Sequence, residues 1–447
     1  MEIGESHLGN HLVLRPVGRL DNGTSADFQA YLVKALNAAG RDIIVDFSGI
    51  NYVSSAGLRA LMAASRLKPA GRRIAVAAAG QVVQEILTIS RFHEVIPLFA
   101  TVDAANEAWT DKTKPVATRS ATPPHPPTVP VHFWGTRGSL AAPLNHNNTR
   151  GKIREALMAA RDRQLRTPEA IDAFIERDLA FSVRGTFGGN TACVEIGTGG
   201  NEYMICDLGT GVREFGAKMM MQHGPARPQT YNVFLSHVHW DHIMGFPFFT
   251  PAYIPGNKIR IYSAHRSARE ALLRQQSAPC FPVLFESLGA TIEFIELETG
   301  QNYEIAGFTV SCIRQFHEGE SYGYRFTKNG KVIVYSTDCE HKASVLDNSY
   351  PFVSFFRHAD LLIFDAMYSL ADAVSVKEDW GHSSNIIAVE LAQLARVKKL
   401  AMFHHEPAYD DARIERVLGE TIRYEEISRE DHKVEVISAY DGLDLSV

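Results

Sequence analysis

Four side chains that can bind metal ions lie within six residues, in the string SHVHWDH at residues 236–242. The apolar run directly before it, at 233–235, predicts a buried strand that opens into a loop or a helix start. His237 and His239 are two residues apart and share one side of an extended chain, whereas the adjacent Asp241 and His242 must diverge. Two diverging pairs suit two metal ions better than one. The alternative, a polar loop with unrelated histidines, is disfavoured by this density of ligands.

The string resembles the metal-binding motif of the metallo-β-lactamase-fold hydrolases. The segments VHFWGTRGS at 131–139 and FGGNTACVEI at 187–196 resemble the opening of its phosphodiesterase-like and tRNase Z-like branch. The resemblance implies an αβ/βα sandwich over residues 131–447 that holds two divalent metal ions. Imidazole and carboxylate ligands favour Zn, with Mn or Fe as the other candidates.

Length and composition restrict the classes of protein to which the chain can belong. The chain has 447 residues, enough for two or three domains. Its net charge of −6 provides no global positive field, which disfavours nucleic acid as a partner. Neither a membrane span nor a signal peptide is evident, because no apolar run reaches about 18 residues and the N-terminus lacks a basic segment followed by an apolar one. Five dispersed cysteines predict reduced thiols and a cytoplasmic location.

The first hundred residues predict a small α/β domain with a largely parallel sheet, because strands alternate with helices. Strands are predicted at 12–17, 43–47 and 74–77, and helices at about 28–39, 57–67 and 82–89. The segment DFSGINYVSSAGL at 46–58 resembles the loop of STAS domains, the fold of the anti-sigma-factor antagonists. The resemblance implies a STAS domain at 1–110, a protein kinase or anti-sigma-type partner, and phosphorylation of Ser55. The alternative is that Ser54 or Ser55 is only an N-cap.

Two further segments affect the organisation of the chain. Residues 111–130 hold six prolines and no apolar periodicity, which predicts an extended linker between two folding units. A charged insert at about 145–184 is expected to form helices at 153–165 and 168–179. Such an insert is a candidate lid or a candidate oligomer contact, for instance in a homodimer, and the sequence does not decide between them.

Further candidate ligands follow predicted strands. The metallo-β-lactamase resemblance implies that His237, His239 and His317 bind one metal ion, that Asp241, His242 and His404 bind the other, and that Asp338 bridges both. His405 is the less favoured choice at the last position. We expect His317 and Asp338 to lie on neighbouring strands. Asp241 is also expected to accept the proton of the attacking water, and Asp207 to orient a metal-binding histidine rather than touch metal. Cys339 is predicted to be a small buried residue and not a ligand.

A second resemblance separates this chain from lactamases and glyoxalases. The segment DWGHSSN at 379–385, before a predicted helix at 386–394, and the strand DLLIFDA at 360–366 resemble paired motifs of tRNase Z and related phosphodiesterases. The resemblance implies that Asp365 orients His382 and that His382 is the general acid for the leaving oxygen. An exposed histidine near a helix start is the alternative for His382.

The sequence therefore predicts a dinuclear metal-dependent phosphodiesterase with an N-terminal regulatory STAS domain, acting on a small phosphodiester such as a cyclic nucleotide. A tRNase Z-like ribonuclease is the second hypothesis, and a steep salt dependence of substrate affinity would favour it. A metal-binding signalling scaffold without turnover is the third. A di-iron oxidoreductase stays formally open, although no flavin-binding segment is evident.

Overall fold

The computed structural model describes residues 2–9, 11–20, 23–38, 41–53, 55–67, 72–80, 83–84, 87, 96–110, 128–341, 348–368 and 380–447. It divides into two compact units, Met1–Pro124 and His125–Val447. Most of the predicted linker at 111–130 lies outside the described residues, as does most of the predicted helix at 82–89. Within the described part of the chain, no helix is long and apolar enough to span a membrane.

The N-terminal unit is a mixed sheet with helices, as the alternating pattern predicts. Its described strands are β1 (Glu2–Leu8), β2 (His11–Leu20), β3 (Ile43–Asp46), β4 (Ile50–Val53), β5 (Ile74–Ala77) and β6 (Leu98–Phe99), and its described helices are α1 (Ser25–Ala38), α2 (Ser55–Leu67) and α3 (Val102–Thr110). The strand order is β1-β2-β3-β5-β6, with β4 paired to β2. All pairs are parallel except β1 with β2. The sequence analysis did not predict β1, because its exposed, polar residues carry little apolar signal.

The described residues of the C-terminal unit form two sheets of seven strands each. Its strands are β7 (Pro130–Gly135), β8 (Cys193–Ile196), β9 (Glu202–Cys206), β10 (Thr230–Phe234), β11 (Lys258–Ser263), β12 (Thr291–Glu296), β13 (Tyr303–Ile305), β14 (Phe308–Gln315), β15 (Ser321–Lys328), β16 (Lys331–Ser336), β17 (Leu361–Asp365), β18 (Lys399–Phe403), β19 (Glu435–Ser438) and β20 (Asp444–Ser446). One sheet has the order β12-β11-β10-β9-β8-β7-β20, and the other runs from β13 to β19 in sequence order.

The described part of this unit also contains helices. They are α4 (His146–Ala160), α5 (Pro168–Asp178), α6 (Phe181–Arg184), α7 (Val212–His223), α8 (Trp240–Ile243), α9 (Ala268–Gln275), α10 (Pro351–Phe356), α11 (Asn385–Leu394) and α12 (Asp411–Ser428). Aromatic side chains of both sheets, including Phe234 and Tyr335, share one buried core. Separate apolar clusters join α7 to the first sheet and α11 to the second. These layers form the αβ/βα sandwich that was predicted.

The insert before β8 forms helices whose bounds differ from those expected. Helix α4 begins at His146 rather than at 153, because the Asn145 side chain accepts hydrogen bonds from the N–H groups of Asn147 and Asn148 in a capping box. The periodicity of apolar residues does not reveal this polar start. Lys152 of α4 donates a 2.6 Å ion-pair contact to Asp411 and so attaches the insert to the N-terminus of α12.

Candidate metal centre

The candidate ligands collect where several strands end at the same edge of the sandwich. Strands β9 and β10 are parallel neighbours, as are β16, β17 and β18, so their carboxyl ends lie together. These strands lead directly into Asp207, the 236–242 string, Asp338, Asp365 and His404. The expectation that His317 and Asp338 lie on neighbouring strands is wrong, because β15 pairs between β14 and β16. Two successive antiparallel pairings restore the strand direction, so both residues still reach the same edge.

The described residues that could hold a metal ion fall into two adjoining groups that share Asp338. One group is His237, His239, His317 and Asp338, and the other is Asp241, His242, Asp338 and His404. The Oδ1 atom of Asp338 lies 3.2 Å from the Nε2 atoms of both His242 and His404. Its Oδ2 atom lies 3.6 and 3.7 Å from the Nε2 atoms of His237 and His317. The carboxylate thus offers one oxygen to each group, the geometry of a bridge.

The second group has the dimensions of a tetrahedral metal site. Oδ2 of Asp241 lies 3.1 Å from Nε2 of both His242 and His404, and those two nitrogens are 3.3 Å apart. Ligands at Zn–N and Zn–O distances of about 2.0–2.1 Å leave edges of about 3.3 Å in a tetrahedron. The backbone N–H of Ser139 donates to the same Asp241 oxygen at 2.8 Å and fixes its orientation.

The first group presents nitrogen atoms that have no protein partner or face one another. The Nε2 atom of His237 is buried without a hydrogen-bond partner, and Nδ1 of His239 lies 3.1 Å from Nε2 of His317. The remote Nδ1 of His317 pairs with the carbonyl oxygen of Gly381 at 2.8 Å, which presents Nε2 to the group. Buried nitrogens of this kind are expected to be satisfied, so the donor set fits a metal ion.

Electrostatics in the second group also favour a cation. Burial lowers the pKa of His242, but the carboxylates of Asp241 and Asp338 outweigh burial and raise that pKa well above its usual value. Burial and the neighbouring His242 lower the pKa of His237, which keeps this imidazole neutral and able to coordinate. The pocket therefore attracts positive charge and supplies unprotonated nitrogen to receive it.

Asp207 lies beneath both groups and accepts hydrogen bonds from several residues. Its Oδ2 atom lies 2.7 Å from Nδ1 of His242, and the hydroxyl groups of Ser236 and Tyr335 donate to the same oxygen, each at 2.7 Å. The Ser236 hydroxyl also lies 3.0 Å from Nδ1 of His237. One buried carboxylate therefore contacts a histidine of the second group directly and a histidine of the first group through the Ser236 hydroxyl. Sequence analysis assigned no role to Ser236 or Tyr335.

The Asp365 and His382 pair adjoins this centre. Nδ1 of His382 donates to Oδ2 of Asp365 at 2.8 Å and lies 3.9 Å from Oδ2 of Asp338. Burial lowers the pKa of His382, but Asp365 and then Asp338 raise it to about 9. The alternative of an exposed histidine is wrong, because the His382 side chain is only 9% exposed.

Three residues at the same edge have a strained backbone. Asp207, Asp338 and His404 have φ angles of 60°, 44° and 60°, a left-handed region that side chains other than glycine seldom adopt. Gly138 approaches His404 so closely that a Cβ atom would lie 2.5 Å from its Nδ1. The sequence shows neither the strain nor the close approach.

His405 and Cys339 lie outside the candidate clusters of the described residues. His405 is buried and its Nε2 atom pairs with the carbonyl oxygen of Ala439 at 2.8 Å, so His404 is the residue at the centre. Cys339 is fully buried, and its backbone N–H donates to Asp365. Ser55 belongs to the N-terminal unit, where it is the first residue of α2, and Ser54 lies outside the described residues.

Comparison with known proteins agrees with this architecture. Residues 204–405 match the model of the beta-lactamase superfamily domain, and residues 3–98 match that of the Mlab STAS domain. The chain joins a STAS domain to a metallo-β-lactamase domain. Ribonuclease Z of Exiguobacterium sibiricum is 26% identical over 236 residues, which are 43% of this chain and 76% of that protein. Ribonuclease Z of Picrophilus torridus is 23% identical over 257 residues, 46% of this chain and 77% of that protein.

Among solved structures, the metallo-beta-lactamase fold protein YhfI from Bacillus subtilis is 16% identical, with a TM-score of 0.47 over 72% of this chain and 99% of that one. The match to the family model and the ribonuclease Z relatives identify the metallo-β-lactamase domain as that of a metal-dependent hydrolase. Because those relatives are named as ribonucleases, the expectation that nucleic acid is an unlikely partner is not supported.

Proposed function

We propose that the metallo-β-lactamase domain hydrolyses phosphodiesters with two divalent metal ions. His237, His239 and His317 would hold one ion, Asp241, His242 and His404 the other, and Asp338 would contact both. Two ions held in this way lower the pKa of water and stabilise negative charge on phosphoryl oxygens. Zn fits the imidazole-rich donor set, and Mn or Fe would fit it as well. Asp241 is the proposed acceptor for the proton of the attacking water, and the Ser139 N–H keeps it oriented.

The observation that carries the proposal is the hydrogen bond between Asp365 and His382 beside the bridging carboxylate. Because Asp365 accepts from Nδ1, the Nε2 atom is the ring nitrogen that can protonate a leaving oxygen. The raised pKa of His382, about 9, keeps this proton in place at neutral pH. A protonated imidazole suits an alkoxide leaving group. An alkoxide is more basic than a thiolate, so its departure depends more on a proton donor.

The proposed substrate is a small phosphodiester such as a cyclic nucleotide. The chain carries 51 acidic and 45 basic side chains, an excess of negative charge that does not assist binding of a long polyanion. A tRNase Z-like activity on RNA is the second candidate, and the ribonuclease Z relatives favour it.

The STAS domain is proposed to be a regulatory or partner-binding module. Ser55 is the first residue of the 13-residue helix α2. A phosphate on this residue would meet the unpaired N–H groups and the positive end of the helix dipole. The proposed partner is a protein kinase or an anti-sigma-type protein, and the five free thiols agree with a cytoplasmic setting.

Turnover of bis(p-nitrophenyl) phosphate by the metal-loaded chain tests the proposed reaction. We expect turnover that EDTA abolishes and added metal restores. Cyclic nucleotides and an RNA precursor are then compared at several salt concentrations. An RNA preference that falls steeply with salt would establish the second candidate, and absence of turnover in protein that holds two metal ions would contradict the proposal.

A further inference from the structure

Aromatic side chains are exposed next to the candidate metal ligands. Among the described residues, Trp240, Phe248, Phe316 and Trp380 are the Phe or Trp side chains with more than half of their surface exposed. Side chains of this size usually bury most of their area. Single exposed apolar residues need no special explanation, but three of these four adjoin one site.

Trp240, Phe316 and Trp380 are each next in sequence to a residue at or beside the contact between His239 and His317. Trp240 follows His239, and Phe316 precedes His317, whose ring nitrogens lie 3.1 Å apart. Trp380 precedes Gly381, whose carbonyl oxygen lies 2.8 Å from the other ring nitrogen of His317. We call these three side chains the aromatic rim.

The centre is open to solvent at His239, the residue next to Trp240. His237, His242 and His404 are fully buried, whereas His239 is exposed. A substrate that reaches the metal-binding groups therefore has to pass His239 and its neighbours. The exposed Phe316 ring also packs against Phe352, with their centroids 5.8 Å apart, and this contact restricts its position.

The charged groups of the same loop favour an uncharged occupant. Glu318 and Glu320 are exposed beside His317, and Arg314 pairs with Glu320 at 3.1 Å. An additional phosphate would meet carboxylates here, whereas a flat ring without charge would meet aromatic faces. Stacking on aromatic side chains tolerates any base, because every nucleobase has a π face.

We propose that the aromatic rim stacks the nucleobase of a nucleotide phosphodiester whose phosphate occupies the metal centre. The inference rests on the proposed phosphodiesterase function and narrows its substrate to nucleoside phosphodiesters. Trp240, Phe316 and Trp380 would thus determine specificity without taking part in bond cleavage.

Calorimetric binding of two ligands to the metal-loaded full chain tests the rim without any need for turnover. AMP and ribose 5-phosphate share the sugar phosphate and differ in the base. We expect AMP to bind at least about tenfold more tightly, the scale of one stacked base. Trp240→Ala, Phe316→Ala and Trp380→Ala should each reduce that ratio severalfold. Met221→Ala, a change at a 74% exposed side chain of α7, is the matched control and should retain it.

Metal content is measured for each variant, and Trp240→Phe, which keeps an aromatic face, should recover most of the ratio. Equal affinity of the native chain for the two ligands would overturn the inference. An AMP preference that survives all three alanine variants would overturn it as well, because the base would then bind elsewhere. A rim-dependent preference in a protein that hydrolyses no phosphodiester would support the rim and contradict the proposed function, so the two failures are distinguishable.

Discussion

Asp365 accepts a hydrogen bond from Nδ1 of His382 at 2.8 Å, at the end of the strand β17 that lies between the strands leading to Asp338 and His404. The carboxylate also accepts from the backbone N–H groups of Cys339 and Met367, so its position does not depend on the histidine. A fixed acid therefore orients an imidazole beside the metal-binding groups. This relationship leads to the first prediction.

Asp365→Asn should shift the alkaline limb of the pH–rate profile to lower pH. Burial lowers the pKa of His382 and Asp365 is the largest influence that raises it, so removing the negative charge lowers that pKa and deprotonates His382 at a lower pH. We expect about a tenfold loss of kcat at pH 8 on a substrate with a poor leaving group. The profile is measured from pH 6 to 10. An unchanged limb would show that Asp365 does not control the proton of His382.

The Asp338→Ala protein should no longer bind either metal ion stoichiometrically, because each oxygen of this carboxylate faces one group of histidines. The metal content of purified protein, measured by mass spectrometry, should fall from two ions per chain to fewer than one. Cys339→Ala changes the next residue, which has no place in the candidate clusters, and should retain two. Retention of one ion at full occupancy in Asp338→Ala would contradict the bridging role.

Asp207→Asn should weaken metal binding by about 10–100-fold, the usual effect of losing a hydrogen-bond partner of a metal-binding histidine. The carboxylate orients His242 directly and His237 through the Ser236 hydroxyl. Competition with a chromophoric chelator measures the affinity. Tyr335→Phe removes one donor to the same oxygen while leaving the carboxylate charged, so its effect should be smaller. An equal or larger effect of Tyr335→Phe would contradict the role given to the carboxylate charge, because this variant keeps the charge and loses only a hydroxyl donor.

Metal removal should lower the thermal stability of the C-terminal unit. A ligand that binds only the folded state adds about 2.7 kcal/mol when present at a hundred times its Kd. EDTA-treated protein is therefore expected to unfold at a lower Tm, and added Zn should reverse the change. In Asp338→Ala, Zn should have little effect. A Tm independent of metal in the native chain would indicate that these residues do not form a metal site in the folded protein.

Parts of this site could be predicted from the sequence because they follow buried strands. His237, Asp338 and His404 each come just after an apolar run, and parallel strands bring such ends to one edge. Contacts between distant elements could not be predicted in this way. Tyr335 donates to Asp207 across 128 positions of the chain, and the Ser139 N–H donates to Asp241 across 102. Periodicity carries no information on either pairing.

The other differences have separate causes. The Asn145 capping box moved the start of α4 away from the first apolar residue, and β15 separated two strands that were expected to be neighbours. The left-handed backbone at Asp207, Asp338 and His404 is imposed by the tertiary structure, since none of these residue types prefers it as glycine does.

The measurement that tests the central claim most directly compares His382→Ala with the native chain on two diesters, alongside the metal content of both proteins. One diester releases p-nitrophenolate, a good leaving group, and the other releases an alkoxide. We predict two metal ions per chain in both proteins, a loss of at least about 100-fold in kcat on the alkoxide ester and a loss of less than about tenfold on the nitrophenyl ester. Equal losses on both esters, or a loss of metal, would contradict the assignment of His382 as the general acid.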